Sequence, residues 1–368
     1  MDIGYFLKLM KEKSASDMFL STGAPVSMKV EGRIMPLGKS GLPPGMVKKI
    51  AYSLMNEGQV PEFEENWELN LAISLKDAGR FRVNVFRQRG EVAMVIRAIN
   101  SEIPALEDLH LPELLTEMVM EPRGIILVVG STGSGKSTTL ASMINFRNEN
   151  KTGHILTIED PIEFLHRHKK SLVNQREIGI DTKNYKNALR SALREAPDVL
   201  LIGEILDTET MEAAISFAET GHLVLATLHS NNADQTMDRI LNFFPEQVHK
   251  QVLQSLSLNL RGIVSQRLIM AKNSKRRAAI EILRNTPMIR DMIRRGEIAD
   301  LKDAMDKSLD AGMQTFDQAL YKLYKDGVVE LDEALRKADS PDGLQLKIKL
   351  SEGAGDDGDM GLYDPSSY

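Results

Sequence analysis

The chain has 368 residues, of which 42% are hydrophobic, carries a formal net charge of −6 and contains no cysteine. That length argues for two folded domains, and the negative balance excludes a chain that binds nucleic acid by bulk electrostatics. The lack of cysteine excludes disulfides, a cysteine nucleophile and a four-cysteine zinc module, and it suits a reducing compartment.

Residues 1–11 are too charged, and their apolar run too short, for a signal peptide. No stretch reaches the roughly 18 apolar residues that cross a bilayer. The expectation is a cytoplasmic protein without direct membrane insertion, meeting a membrane only through a partner.

Residues 1–100 read as a small α/β domain. Val26–Val30 and Arg33–Leu37 form a hairpin about Glu31-Gly32. Helical spacing over Met46–Met55 follows Pro43-Pro44. Trp67–Ser74 alternates apolar and polar residues. Arg80–Phe86 alternates more cleanly, with Phe81, Val83 and Val85 on one face and Arg80, Arg82 and Asn84 on the other; Glu91–Ile99 is a further strand. This order resembles a PAS-like fold.

Residues 101–112 read as a linker. From Gly124 the pattern changes to continuous apolar runs: Ile125–Val129, then His154–Ile158, Val199–Ile202 and Leu223–Thr227. Such runs mark strands covered on both faces. With helices between them they imply a mostly parallel, doubly wound sheet, and the domain extends over 113–350. Pro245 to about Leu350 reads as nearly all helical. Residues 351–368, rich in Gly and Asp, read as a disordered acidic tail.

Five groups of residues carry candidate chemistry. Gly130-Ser-Thr-Gly133-Ser-Gly135-Lys136-Ser137, with Thr138 after it, is a phosphate-binding loop for ATP. Its glycines let backbone N–H groups converge on phosphate. Lys136 supplies a mobile positive charge for the β- and γ-phosphates, and Ser137 a hydroxyl for Mg²⁺. Asp198–Glu204 is an apolar strand ending in Glu204, where a carboxylate meets Mg²⁺ or its water. Glu159, Asp160 and Glu163 crowd one strand end, suited to orienting water or accepting its proton; a solvated loop is the alternative. His222 and His229 flank one buried strand, and a structural histidine is the alternative for each. Arg80, Arg82, Arg87, Arg89 and Arg97 suit phosphate recognition; an exposed charged sheet face is the alternative.

In this order the phosphate loop, Ile158–Glu163, Ile202–Glu204 and Thr220–Ser230 resemble the Walker A, Asp box, Walker B and His box of the secretion-superfamily ATPases. Ser16–Leu20, Met28–Arg33, Gly79–Val83 and Gly312–Leu320 are similar to the type IV pilus retraction ATPases, PilT and PilU. Glu333–Ser340 and Leu346–Lys349 are more similar to PilU. The resemblance covers roughly residues 3–350. It implies a PAS-like N-terminal domain, a RecA-like ATPase domain with a helical C-terminal part, and a homohexamer that binds ATP between an N-terminal domain and a RecA-like domain of the same or another subunit. It implies Glu163 as catalytic base, Glu204 as Walker B carboxylate, His222 and His229 as residues near the nucleotide, and Arg80, Arg97 and then Arg82 as phosphate sensors. It also implies partners: an inner-membrane pilus platform protein and a related retraction ATPase.

Two departures stand out. The family's Walker B is usually followed by Arg-Asp, whereas here Leu206-Asp207 follows. The retraction helix, Ala-Ile-Arg-Asn-Leu-Ile in PilT, corresponds to Met288-Ile-Arg290-Asp-Met-Ile293, as in an accessory motor. Alternative readings are an ATP-binding structural partner of a dominant motor, and a pilus-assembly or type II secretion ATPase; the missing cysteines count against the last.

Overall fold

A computed structural model describes residues 2–353, which divide into two compact units. Unit 1 takes the N-terminal residues through Ile103 and adds Ile158–Arg167 and Gln175–Ala188, two segments far along the chain. Unit 2 takes the remaining described residues.

Unit 1 runs α1 (Ile3–Glu12), β1 (Asp17–Leu20), β2 (Ser27–Val30), β3 (Arg33–Pro36), α2 (Met46–Leu54), α3 (Gln59–Asn66), β4 (Glu68–Leu75), β5 (Gly79–Gln88) and β6 (Glu91–Ala98). The strands form one antiparallel sheet in the order β3-β2-β1-β6-β5-β4. The β2–β3 hairpin closes through Glu31 (φ 48°) and Gly32 (φ 79°). Two successive left-handed residues match the right-handed twist of the strands. On β5 the period-2 pattern buries Phe81, Val83 and Val85 in a core that also holds Met18, Met94 and Phe63. Arg80 and Arg82 are thereby turned to the opposite face.

In unit 2, α4 (Leu114–Met120) precedes β7 (Gly124–Val129) and α5 (Lys136–Asn150). Then follow β8 (Gly153–Glu159), β9 (Ser171–Glu177), α6 (Tyr185–Ala192), β10 (Val199–Ile202), α7 (Thr208–Glu219), β11 (Leu223–Leu228), α8 (Ala233–Asn242) and α9 (His249–Asn259). β8, β9 and α6 each run through the division between the units. The seven-stranded sheet has the order β13-β12-β7-β11-β10-β8-β9. Every residue of β7, β10 and β11 is buried. Each Ile, Leu or Val there contributes on the order of 1.5–3 kcal/mol. The chain is an α/β protein, and no described helix is long and apolar enough to cross a membrane.

The region after Pro245 corrects the helical expectation. It contains two long strands, β12 (Leu260–Met270) and β13 (Arg276–Arg284), paired antiparallel, with β12 parallel to β7. β12 is buried almost continuously, so it lacks the alternation that identifies a strand, and a short apolar run cannot be told from a buried helix by period alone. The turn between them has no Gly or Pro. Five helices then complete the unit: α10 (Pro287–Arg295), α11 (Leu301–Asp306), α12 (Phe316–Lys325), α13 (Leu331–Lys337) and α14 (Pro341–Gly353). Arg267 of β12 ties them down: its guanidinium lies 3.8 Å from the Phe316 ring centre, pairs with Asp339 at 2.5 Å and donates to the Lys337 carbonyl at 2.8 Å. Of the expected acidic tail, 351–353 close α14 and residues from 354 onward lie outside the described residues.

Candidate active site

Gly130–Gly135 joins the carboxyl end of β7 to the first turn of α5. Gly130 (φ 150°) and Gly135 (φ 93°) are required by contact as well as by conformation. A Cβ on Gly130 would stand 2.5 Å from the Gln266 carbonyl, and one on Gly135 2.8 Å from Gln266 Nε2. The loop amides and the α5 N-terminus form an anion cradle. Lys136 is 9% exposed, and its ammonium donates to the carbonyls of Gly130 (2.8 Å) and Ser131 (3.1 Å). Ser137 and Thr138 are half-buried on the first turn of α5, while Ser131, Thr132 and Gly133 are exposed. The exposed side of the loop borders a cleft of about 630 Å³ with Arg336 and Lys337. Ser134 Oγ is buried and has no hydrogen-bond partner among the described residues. An orphaned hydroxyl beside a glycine cradle fits a bound phosphate.

Gln266 is a residue that the sequence motifs did not single out. Ser265 on β12 registers with Val129 on β7, so Gln266 falls beside Gly130. Its side chain is 3% exposed. Nε2 donates to the Ser134 carbonyl at 2.8 Å, and Oε1 accepts from Thr139 Oγ1 at 2.8 Å. One neutral amide thus joins the loop to α5. Nothing local to the loop signals this contact, because 132 residues separate Gln266 from Ser134.

Glu204 follows β10 and His229 follows β11. Strands β7, β11 and β10 are adjacent and parallel, so their carboxyl ends share one edge. At about 4.8 Å per strand, the Glu204 segment stands roughly 10 Å from the phosphate loop. Glu204 Oε1 and His229 Nε2 are 3.0 Å apart, both partly exposed. Asp207 caps α7, accepting from the Thr210 amide at 2.9 Å in a capping box. Leu206 beside it is 53% exposed and, being apolar, makes no ion pair.

His222 stands apart from its own phosphate loop. It precedes β11, at the edge opposite His229, roughly 20 Å away along the strand. Its Nδ1 lies 3.0 Å from the Phe217 carbonyl and 3.1 Å from Thr220 Oγ1, and its ring meets Phe217 edge-on. Within one subunit it is a local structural group.

Unit 1 holds a second cleft, of about 640 Å³, lined by Arg80, Arg82, Arg97 and Glu163 among others. The structure brings together three of the five arginines. Arg87 instead pairs with Glu64 and lies over the Phe63 and Trp67 rings, and Arg89 (φ 50°) is exposed at the β5–β6 turn. Arg97 Nε lies 2.7 Å from Asp17 Oδ1. Asp17 is 4% exposed and also accepts from Ser16 Oγ at 2.9 Å. Of the Asp-box carboxylates, Glu163 and Asp160 are exposed, whereas Glu159 accepts from Gln175 Nε2 at 3.1 Å.

The family described as "Type II/IV secretion system protein" matches residues 8–291. The chain is 52% identical to the type IV pilus ATPase PilU of Pseudomonas aeruginosa, over 95% of this chain and 92% of that protein. It is 42% identical to the type IV pilus retraction ATPase PilT of the same organism, over 94% of this chain and 100% of that one. A crystal structure of the pilus retraction motor PilT with bound ADP superposes with a TM-score of 0.87 at 44% identity, covering 94% of this chain and 99% of that chain. With a phosphate loop, a Glu–His pair at one sheet edge and relatives that match along nearly their whole length, the chain belongs to the type IV pilus retraction ATPases of the type II/IV secretion system family, nearer PilU than PilT.

Proposed function

We propose that this chain hydrolyses ATP to power type IV pilus retraction, as a PilU-like accessory motor. The observation that carries this reading is the shared sheet edge of the glycine cradle, Lys136 and the Glu204–His229 pair. The cradle and the α5 N-terminus bind the β- and γ-phosphates. Lys136 exchanges its loop carbonyls for phosphate oxygens, neutralising charge that grows in a loose transition state. Ser137, and Glu204 through water, would hold Mg²⁺, which when bound spreads that charge further. His229 fixes the orientation of Glu204. Glu163 accepts the proton of the attacking water, and Arg80, Arg82 and Arg97 respond to the phosphates.

Under the same reading the unit 1 sheet is the PAS-like element and unit 2 the RecA-like one. Six copies form a ring at the cytoplasmic face of the inner membrane, where they engage a platform protein alongside a related retraction ATPase. His222, remote from its own phosphate loop, reaches a nucleotide only if another copy brings one.

Steady-state ATPase assays on the purified chain test the enzymatic core. Lys136→Ala and Glu163→Gln are each expected to lower kcat by roughly 10²-fold or more. Activity unchanged in both defeats the proposal. The exposed Leu206 favours a second reading, an ATP-binding partner that works by docking on a dominant motor. With the main motor intact, a Lys136→Ala strain that twitches while the deletion strain does not would support that reading.

A further inference from the structure

The unit 1 cleft sets two arginines side by side. Arg82 on β5 registers with Arg97 on β6, and Arg97 registers with Asp17 on β1. Directly opposite residues of an antiparallel pair have Cβ atoms about 4.5–5.5 Å apart, and like charges at that spacing destabilise the sheet. Each arginine has its own carboxylate. For Arg97 it is Asp17, in a hydrogen-bonded pair. For Arg82 it is Glu177, at the end of β9, with Arg82 Nε 3.6 Å from Glu177 Oε1.

The two pairs differ in kind. Glu177 is fully buried, yet neither of its oxygens completes a hydrogen bond of normal geometry among the described residues. The nearby Arg80 Nε is likewise buried and unsatisfied. Burial pushes the Glu177 carboxyl above its ordinary pKa, opposed by Arg82, by the Ile162 amide directed at it and by Arg80. A buried ion pair stabilises only with close geometry and satisfied lone pairs, and this one has neither. The arrangement therefore calls for a role other than stability. The carboxylate lies 3.6 Å from Arg82, which lines the cleft with Arg80 and Glu163. A tight bidentate pair would compete with phosphate for the guanidinium donors. A loose one attracts the group and leaves its donors free.

We propose that Glu177 is a positioning residue for ATP hydrolysis: from its buried place beside the cleft it aims Arg82 at the phosphates. The inference rests on the nucleotide reading above and assigns a role to a carboxylate outside all four motifs. It predicts a loss in the chemical step with little loss in nucleotide affinity, because the phosphate loop is built from other residues.

The test is steady-state ATPase kinetics and fluorescent-ADP binding on the full chain, with thermal melts as a check on folding. Glu177→Gln is expected to lower kcat roughly tenfold or more while the Kd for the ADP analogue changes less than about threefold. Arg82→Ala is expected to lower kcat comparably, and the double variant no further, because the two residues act as one unit. Should Glu177→Gln fail to fold, Glu177→Asp keeps the charge and withdraws it by one methylene. That variant is expected to fold with kcat reduced about tenfold, since a displacement of about 1 Å can cost up to 10² in rate. Wild-type kcat in whichever variant folds, or multiplicative losses in the double variant, overturns the role of Glu177. If Lys136→Ala is inactive while Glu177→Gln is fully active, the nucleotide reading stands and only this inference falls; no ATPase in the unaltered chain removes both.

Discussion

The clefts of the two units are built on opposite principles. In unit 2 the phosphate loop is shaped by backbone: glycines whose Cβ positions are already occupied, and a neutral amide, Gln266, bridging loop and helix. In unit 1 the cleft is shaped by charge, as arginines set opposite each other are held by buried carboxylates. Steric fit tolerates almost no side-chain addition. A charge pair can loosen, and its consequences depend on what remains buried.

The largest expected effect tests the steric half. Gly130→Val places a branched side chain on the Gln266 carbonyl and is expected to abolish nucleotide binding, measured by titration with a fluorescent ATP analogue. Retained binding would show that the loop is less tightly fixed than the contacts require.

The next effect concerns a buried carboxylate of unit 2. Glu281 on β13 is 1% exposed and accepts from the Ala233 amide at 2.9 Å and Ser265 Oγ at 3.1 Å. Burial pushes its pKa up to about 7. A raised folded-state pKa means that the folded chain holds a proton the unfolded chain has released. The stabilisation is complete below the ordinary carboxylate value near 4.5 and is lost as pH rises to about 7. Glu281→Gln removes that titration. It should match wild-type stability at pH 4.5 and exceed it at pH 8 by up to ~3 kcal/mol, at about 1.4 kcal/mol per pKa unit. Parallel melting-temperature curves for the two proteins across this range would contradict it.

A smaller effect probes the bridge. Gln266→Leu keeps the bulk and removes both side-chain hydrogen bonds, leaving the buried Thr139 hydroxyl unpaired. The cost is about 1–3 kcal/mol, expected as a KM for ATP raised roughly tenfold. If KM stays put and only the melting temperature falls, the bridge serves stability alone.

The smallest concerns Leu206, exposed beside the α7 cap. Leu206→Arg, which restores the usual Arg-Asp pair, should change stability by less than about 0.5 kcal/mol. A rise in kcat in the same variant would identify this position as what limits the chain's own firing.

The sequence was most informative where the chemistry is local. The phosphate loop, Glu204 and His229 each adjoin an apolar run, and the register of β7, β10 and β11 carries them to one edge. The arginine face was half legible. Alternation selects a side of β5, but only packing sends Arg87 to Glu64 and the aromatic rings while Arg80, Arg82 and Arg97 stay on the cleft. β12 and β13 were misread because strands buried on both faces carry no period.

Taken by itself, the sequence determined an α/β chain with a glycine loop that only a strand before it and a helix after it could present, since those signals lie within a few residues of one another. Tertiary structure alone decided the rest: that Gln266 braces a loop more than a hundred residues away, and that Glu177 stands beside Arg82. The physical reason is the same in each case. Hydrogen bonds and charges act over a few ångströms of space, and the pairing of strands distant in sequence sets which residues come that close.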